Sequence, residues 1–569
     1  MLYKYAILTF LILTSCSKEN LEFNVPTTSE VEKLIKHSDE FNQEVITFDT
    51  PGGKIHFAIG FGIANSIMVE GQDGNIIIDA ADSRYDAEKI YELFRKKNSN
   101  PVKAIIYTHN HGDHTFGAAY YLDIQDHKPK IIAHEDTDYY VQRIIGILNP
   151  IITQRSARMF GTFLPEEELI NVGIGPRLNV SKSPNGYVKP DLTFSDELKI
   201  TISGIEIELY HAPGETNDQI FVWLPKHKSL MPGDNIYKTF PNLYTIRGTT
   251  HRDVTGWIES LDLMKSFYPE YLFPSHTRPV IGKNEINNIF ITYRDAIQYI
   301  HDQTIRLMNA GYYPDEISEM IELPQNLSSS PFLYEFYGTV RWSVKSIFNG
   351  YLGWFNGNPA ELDPLSRKEK AKRISKLAGG ENELIKELRL AVDKEDMQWA
   401  LELSDYLISL DLFNSEVKTL RQKALIHEGA KSSNPNKRNY FLSSAIELND
   451  EFELTNLMNI DDTFLDNLSI DTLFNVLSVR FNPEDHDGSL YKVCFNFSSG
   501  LARSITLRND IAVISSEALD NCELEVFTEE IELKRVLTGL KNPISSISSG
   551  EIVVQGGNSE FLKFLAIFR

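Results

Sequence analysis

The chain has 569 residues, 56 basic against 79 acidic side chains for a formal net charge of −23, and 42% hydrophobic content. That length is too great for one core and predicts two to four globular domains. No basic stripe is visible, so nucleic acid is not an expected partner, and any anion must be held by a local site rather than by the overall charge.

The first twenty residues read MLYKYAILTFLILTSCSKEN. Lys4 supplies a short positive start, and Tyr5–Leu13 an apolar stretch too short to span a bilayer as a mature helix. LTSC resembles a bacterial lipobox, in which the cysteine is lipidated. It predicts a signal segment over 1–16 and an exported protein held in the bacterial cell envelope only through lipid on Cys16. An ordinary signal peptide with an incidental Cys16 is the alternative. No other segment is apolar enough to cross a membrane. The remaining cysteines, Cys494 and Cys522, are too few for a disulfide framework or a Cys-rich metal site. They read as two buried thiols, with a single bridge as the alternative.

Strand and helix alternate from about 45 to 285. SIMVEG, GNIIIDAA and VKAIIYTH read as strands, and DAEKIYELFRKK as an amphipathic helix. From about 286 the pattern is helical. EINNIFITYRDAIQYIHDQTIRLMNAG keeps helical spacing up to Gly311, and MQWALELSDYLISLD with EVKTLRQKALIHEG reads as a helical hairpin. KSSNPNKRN at 431–439 reads as a polar break. Beyond it, DGSLYKVCFNF, ARSITLRND, IAVISSEA and a closing helix SEFLKFLAIF describe an α+β domain.

The chemistry gathers where VKAIIY opens into THNHGDH. His109, His111, Asp113 and His114 stand within six residues at a strand end, and imidazoles with a carboxylate suit zinc. His109 and His111 can share one ion while Asp113 and His114 turn toward a second. Further ligands are available at later turns: Glu215 in HAPGETND, Asp234 in LMPGDNIY and His276 in LFPSHTRP. His211, beside the first of these turns, reads as structural. Asp79, closing GNIIID, is either a partner that orients a ligand imidazole or a plain strand-end residue.

THNHGDH matches the HxHxDH signature of the metallo-β-lactamase superfamily. In that superfamily a later H-x-P-G-H turn supplies another histidine; here the turn is HAPGE, with Glu215 in that place. With NLYTIRG, HDQTIRLMNAG and GTVRWSVKSIFNGYLGWFNGNPAEL, the chain resembles the linear alkylsulfatases from about 40 to 569. The resemblance implies a metallo-β-lactamase αβ/βα sandwich over 40–285, an all-α dimerisation domain over 286–435 and an α+β sterol-carrier-like domain over 440–569. It implies two zinc ions per chain, one on His109, His111 and Glu215, the other on Asp113, His114 and His276. Asp234 would bridge them where the alkylsulfatases carry Glu. Asp113 and Asp234 are thus placed in the catalytic centre, and Asn242 and Arg247 would contact the sulfate. A homodimer and a small amphiphilic sulfate ester are the implied partners.

Such a site is near neutral, and Arg247 supplies the extra cation, a planar fork that fits a tetrahedral oxyanion. Zinc-bound hydroxide would be the nucleophile, since zinc lowers the pKa of water from about 15.7 to about 7. Attack at carbon and attack at sulfur both stay open, as do chain length and a preference for primary or secondary esters. Another hydrolase of this fold (a lactonase or phosphodiesterase) and a non-catalytic lipid-binding lipoprotein are the competing readings. The apolar runs of the last domain suit either a bound alkyl tail or an ordinary core.

Overall fold

The computed structural model describes residues 23–453, 459–517 and 519–568. The signal segment and Cys16 lie outside the described residues.

The first sheet runs in chain order: β1 (Glu44–Thr50), β2 (Gly53–Ile59), β3 (Ser66–Glu70), β4 (Asn75–Ile78), β5 (Val102–Ile106), β6 (Lys130–His134) and β7 (Leu192–Phe194). Strands β1 to β4 pair antiparallel, and β4 to β7 parallel. A second sheet follows, from β8 (Glu197–Ile202), β9 (Ile205–His211), β10 (Ile220–Leu224), β11 (Ser229–Met231), β12 (Tyr271–Leu272) and β13 (Val280–Ile281), in the order β13-β12-β11-β10-β9-β8.

Side-chain alternation explains why β4 and β5 read as unbroken apolar runs. Ile76, Ile78, Ala104 and Ile106 point at the second sheet and meet Ile207, Leu209 and Val222. Ile77 and Ile105 point the other way, onto Ile90, Phe94 and Tyr121. A strand covered on both faces has no polar side to show. The covering helix, Arg84–Lys97, is started by Ser83, whose side chain accepts from the Asp86 amide, and ends on Arg95, Lys96 and Lys97. Both ends suit the helix dipole. Truncating Phe94 to Ala in this layer should cost about 3–5 kcal/mol.

The helical region opens with Lys283–Asn309, which stops before Gly311 in the left-handed conformation. Its buried face, including Ile286, Phe290 and Ile297, packs on Trp257 and Leu261 of the preceding helix. The expected hairpin is present as Met397–Ser409 and Ser415–Ala430.

The expected polar break at 431–439 is corrected by the structure. A helix starts inside it, Pro435–Ile446, capped by Asn434 and with Pro at its first position. Arg438 and the capping Asn434 are buried and find partners across the fold. Arg438 donates to the Glu168 carbonyl at 2.6 Å and its carboxylate at 2.7 Å, and the Asn434 amide reaches the carbonyls of Glu335 and Tyr337.

A third sheet holds β14 (Tyr491–Phe497), β15 (Ala502–Arg508), β16 (Ile511–Ser515), β17 (Leu524–Thr528) and β18 (Ile552–Gln555), in the order β16-β15-β14-β17-β18. Phe495, Phe561 and Phe564 pack together in its core, so these aromatics serve internal packing. This domain docks on the first sheet's helical layer: Gln142 donates to the Asn467 carbonyl at 2.8 Å, and Arg84 pairs with Asp461 at 2.9 Å.

The two-thiol reading of Cys494 and Cys522 is also corrected: the two sulfurs are bonded. Strands β14 and β17 run side by side, with Cys494 opposite Glu525, and this brings the two Cα atoms within 5.9 Å. That lies inside the range a disulfide spans. Among the described residues no helix is long and apolar enough to cross a membrane.

Candidate metal centre

Every candidate ligand stands just past the end of a strand. His109 follows β5, and His111, Asp113 and His114 lie in and beside the short helix Gly112–Thr115. Glu215 is in the turn from β9 to β10, Asp234 in the tight turn after β11, and His276 in the loop after β12. The turn at Asp234 needs its glycine. Gly233 has φ of +59°, and a Cβ there would lie 1.9 Å from the Gln219 amide nitrogen.

Six of the seven predicted ligands converge, in two groups: His109, His111 and Asp234, and Asp113, His114 and His276. Asp234 belongs to both by distance. Its Oδ2 lies 3.6 Å from His109 Nε2 and 3.0 Å from His276 Nε2, and its Oδ1 lies 3.5 Å from His114 Nε2. Asp113 Oδ2 sits 3.4 Å from His114 Nε2 and 3.6 Å from His276 Nε2.

These residues fit a metal. His114 Nε2 and Asp234 Oδ1 are buried without a hydrogen-bond partner, which is costly unless something else occupies the space between them. Burial holds the His109 and His111 imidazoles well below their ordinary pKa, so both are neutral and have lone pairs to offer. Burial alone would raise Asp113, but His114 and His276 draw it down to about 2.

Asp79 resolves its two readings in favour of orienting a ligand. Its Oδ2 accepts from His114 Nδ1 at 2.8 Å, Ser275 Oγ at 2.8 Å and Thr108 Oγ1 at 3.0 Å, and its Oδ1 from the Thr108 amide at 2.9 Å. Asp79 holds φ of +60° to make these bonds. His211 is structural, as expected, with its ring 2.7 Å from the Asn217 carbonyl and stacked on His134.

Glu215 stands apart from the expected trio. Its carboxylate is engaged by Arg252 at 2.8 Å, by the Tyr237 hydroxyl at 3.1 Å and by the Asn242 amide at 3.3 Å. Arg252 was not legible as a site residue. It is 1% exposed, it also donates to the Asn242 carbonyl, and its Nε and Nη2 are buried without a partner. Thr108, Ser275 and Tyr237 were likewise missed; the signal available for the first two was their place directly before the ligands His109 and His276.

Arg247 Nη2 lies 2.9 Å from His111 Nε2. Arginine can only donate, so His111 accepts there and carries its proton on Nδ1. That proton points at His109 Nε2, 2.8 Å away, and His109 Nδ1 in turn faces Thr108 Oγ1 at 3.1 Å. A chain of donors thus runs from Arg247 to Asp79. Arg155 fixes the Arg247 loop by donating to the Ile246 carbonyl at 3.1 and 2.6 Å. In front of the cluster lies a pocket of about 140 Å³. Its floor is Asp113, Asp234 and Arg247, and its walls include Phe116, Ile152, Phe160, Ile174 and Leu178.

Three family models match the chain in succession: metallo-beta-lactamase superfamily over 59–276, alkyl sulfatase dimerisation over 313–451 and alkyl sulfatase C-terminal over 459–569. A linear primary-alkylsulfatase of Pseudomonas sp. (strain ATCC 19151) is 33% identical over 518 residues, covering 88% of this chain and 98% of that protein. An (R)-specific secondary-alkylsulfatase of Pseudomonas sp. is 25% identical, over 90% of this chain and 79% of that one. The solved structure of a stereoselective inverting sec-alkylsulfatase from Pseudomonas sp. superposes with a TM-score of 0.87 at 22% identity, covering 95% of this chain and 87% of that one, and so shares the fold.

Proposed function

This chain belongs to the alkylsulfatase family, and we propose that it hydrolyses alkyl sulfate esters to an alcohol and inorganic sulfate with two zinc ions per chain. The observation that carries the reading is Arg247, a cation placed between the six-donor cluster and an apolar pocket. A sulfate monoester has those two ends, one anionic and one greasy.

His109, His111 and Asp234 would hold one zinc, and Asp113, His114 and His276 the other, with Asp234 shared; Glu215 would join the first by releasing Arg252. Bound zinc supplies Lewis-acid charge and acidifies water to a pKa of about 7. The other tasks fall to the chain. The apolar walls bind the alkyl group and exclude water. Arg247 gives a fork to two sulfate oxygens; Asn242, whose amide is bonded to Glu215, would add a donor only once Glu215 turns to the metal.

Attack at carbon is the step proposed: it expels sulfate, a leaving group that needs no proton, whereas attack at sulfur expels an alkoxide that would need a proton donor or the metal to stabilise it. Turnover in ¹⁸O-water should therefore label the alcohol; label in the sulfate would overturn this step. Parallel assays of an alkyl sulfate, a lactone and a phosphodiester, with zinc counted in the same sample, test the whole reading. Preference for the lactone or the phosphodiester would replace it.

The dimerisation match supports a homodimer. After the helix Val340–Leu352 the chain exposes Trp354 (74%), Leu362 and Leu365, apolar surface suited to a second copy. Trp354→Ala should shift the protein toward monomer in light scattering. The disulfide supports export, because such bonds persist in oxidising compartments. Lipid on Cys16 would then hold the enzyme at a membrane, and Cys16→Ala should release it from the membrane fraction. A soluble wild type would remove the anchor.

A further inference from the structure

Arg247 and His111 line two pockets, and they differ in charge: beside Arg247, the first carries Asp113 and Asp234, the second a further arginine. Behind Arg247 lies a second cavity of about 230 Å³, with Arg143, Thr216 and the Gly248–Thr250 turn on its polar side and Ile144, Leu148 and Ile152 on its apolar side. It contains two arginines and no carboxylate, in a chain whose net charge is −23. Arg143 sits in the last turn of the helix Thr137–Ile145 and is half-buried. Among the described residues its guanidinium has no hydrogen bond or ion pair. Asp218, a buried acid that does not line the cavity, accepts from Asn110, and from Thr137 at 2.8 Å.

We infer that this cavity is a second oxyanion site, which receives inorganic sulfate as it leaves Arg247, with Arg143 as its cation. The inference rests on the alkylsulfatase reading for the identity of the anion. Cleavage leaves an alcohol in the apolar pocket and a small tetrahedral anion at Arg247. Retreat past Phe116 and Phe160 would strip the anion of hydrogen bonds. Passage to the other side of Arg247 exchanges one guanidinium fork for another and adds the Thr216 hydroxyl, which is buried without a partner among the described residues. Arg247, anchored through Arg155, forms the wall shared by the two cavities, so it can face either.

The test uses the zinc-loaded protein and does not depend on turnover. Crystals soaked in selenate should show an anomalous selenium peak between Arg143 and Arg247. Calorimetric titration with inorganic sulfate should find two sites per chain. Arg143→Gln should weaken one of them about tenfold or more, and Arg143→Lys should recover part of that loss. A selenate map without a peak in this cavity overturns the site, and so do identical sulfate titrations for wild type and Arg143→Gln. Failure of the hydrolytic reading would appear separately, in the substrate assays.

Discussion

The two donor groups share Asp234 but are built differently. In the Asp113 group the outer ring nitrogens are already fixed. His114 Nδ1 donates to Asp79, and His276 Nδ1 lies 3.0 Å from the Ile63 carbonyl. Their inner nitrogens converge on Asp113 and Asp234. In the His109 group the nitrogens are turned on each other and on Arg247, and Glu215 is paired with Arg252. One half is preorganised; the other must exchange partners before it can hold an ion. Preorganisation lowers the cost of binding, so the Asp113 half should be the tighter.

The largest expected effect is that of His111→Ala. It should abolish nearly all turnover and remove one metal, leaving the Asp113 half loaded. Metal analysis that still finds two ions would take His111 out of the ligand set.

Next is Arg252→Met, which strands Glu215 in a buried site. Breaking a buried pair costs about 3–5 kcal/mol, so the melting temperature of the metal-free protein should fall. Zinc should restore much of it, because Glu215 then gains a cation. Equal destabilisation with and without zinc would mean that Glu215 never joins the first half.

Arg247→Ala removes a charge-assisted contact worth about 1.5–3 kcal/mol, or about 10–150-fold in kcat/KM. Zinc content should hold, and Arg247→Lys should recover part of the loss. Full zinc with unaltered kinetics would remove the sulfate clamp.

Asp79→Asn should be the mildest, weakening metal at the Asp113 half by about 10–100-fold and sparing the other. Competition with a chelator reads the two affinities, and equal loss at both would erase the contrast between the halves.

Much of this was legible before the fold. His109, His111, Asp113 and His114 are close in sequence, so their shared strand end follows from local spacing. Asp234 and His276 carried a weaker signal, each a metal-binding residue type at a Gly or Pro turn after an apolar run. Asp79 was recognised but not decided, because its partners Ser275 and Thr108 arrive from different strands. The helix inside 431–439 was missed because its residues look solvated; Arg438 and Asn434 are buried only because Glu168 and the Tyr337 carbonyl come to meet them.

By itself the sequence determined the strands, the helices and the clustered ligands, since these obey short-range rules: a strand covered on both faces must be apolar throughout, and neighbouring ligands at one strand end share one cleft. The tertiary structure alone decided which charges meet. Arg252 in TTHRDV looks like any surface arginine, and Cys494 and Cys522 like any pair of small apolar residues. Only the packing of β14 against β17 joins those sulfurs. Only the closing of the β9–β10 turn onto the loop before the helix Val254–Ser266 brings Glu215 to Arg252. The reason is physical. Buried ionic and covalent partners are chosen by distance in space: a charge buried alone costs several kcal/mol, so Glu215 and Arg252 must meet, here at 2.8 Å, wherever they stand in the chain.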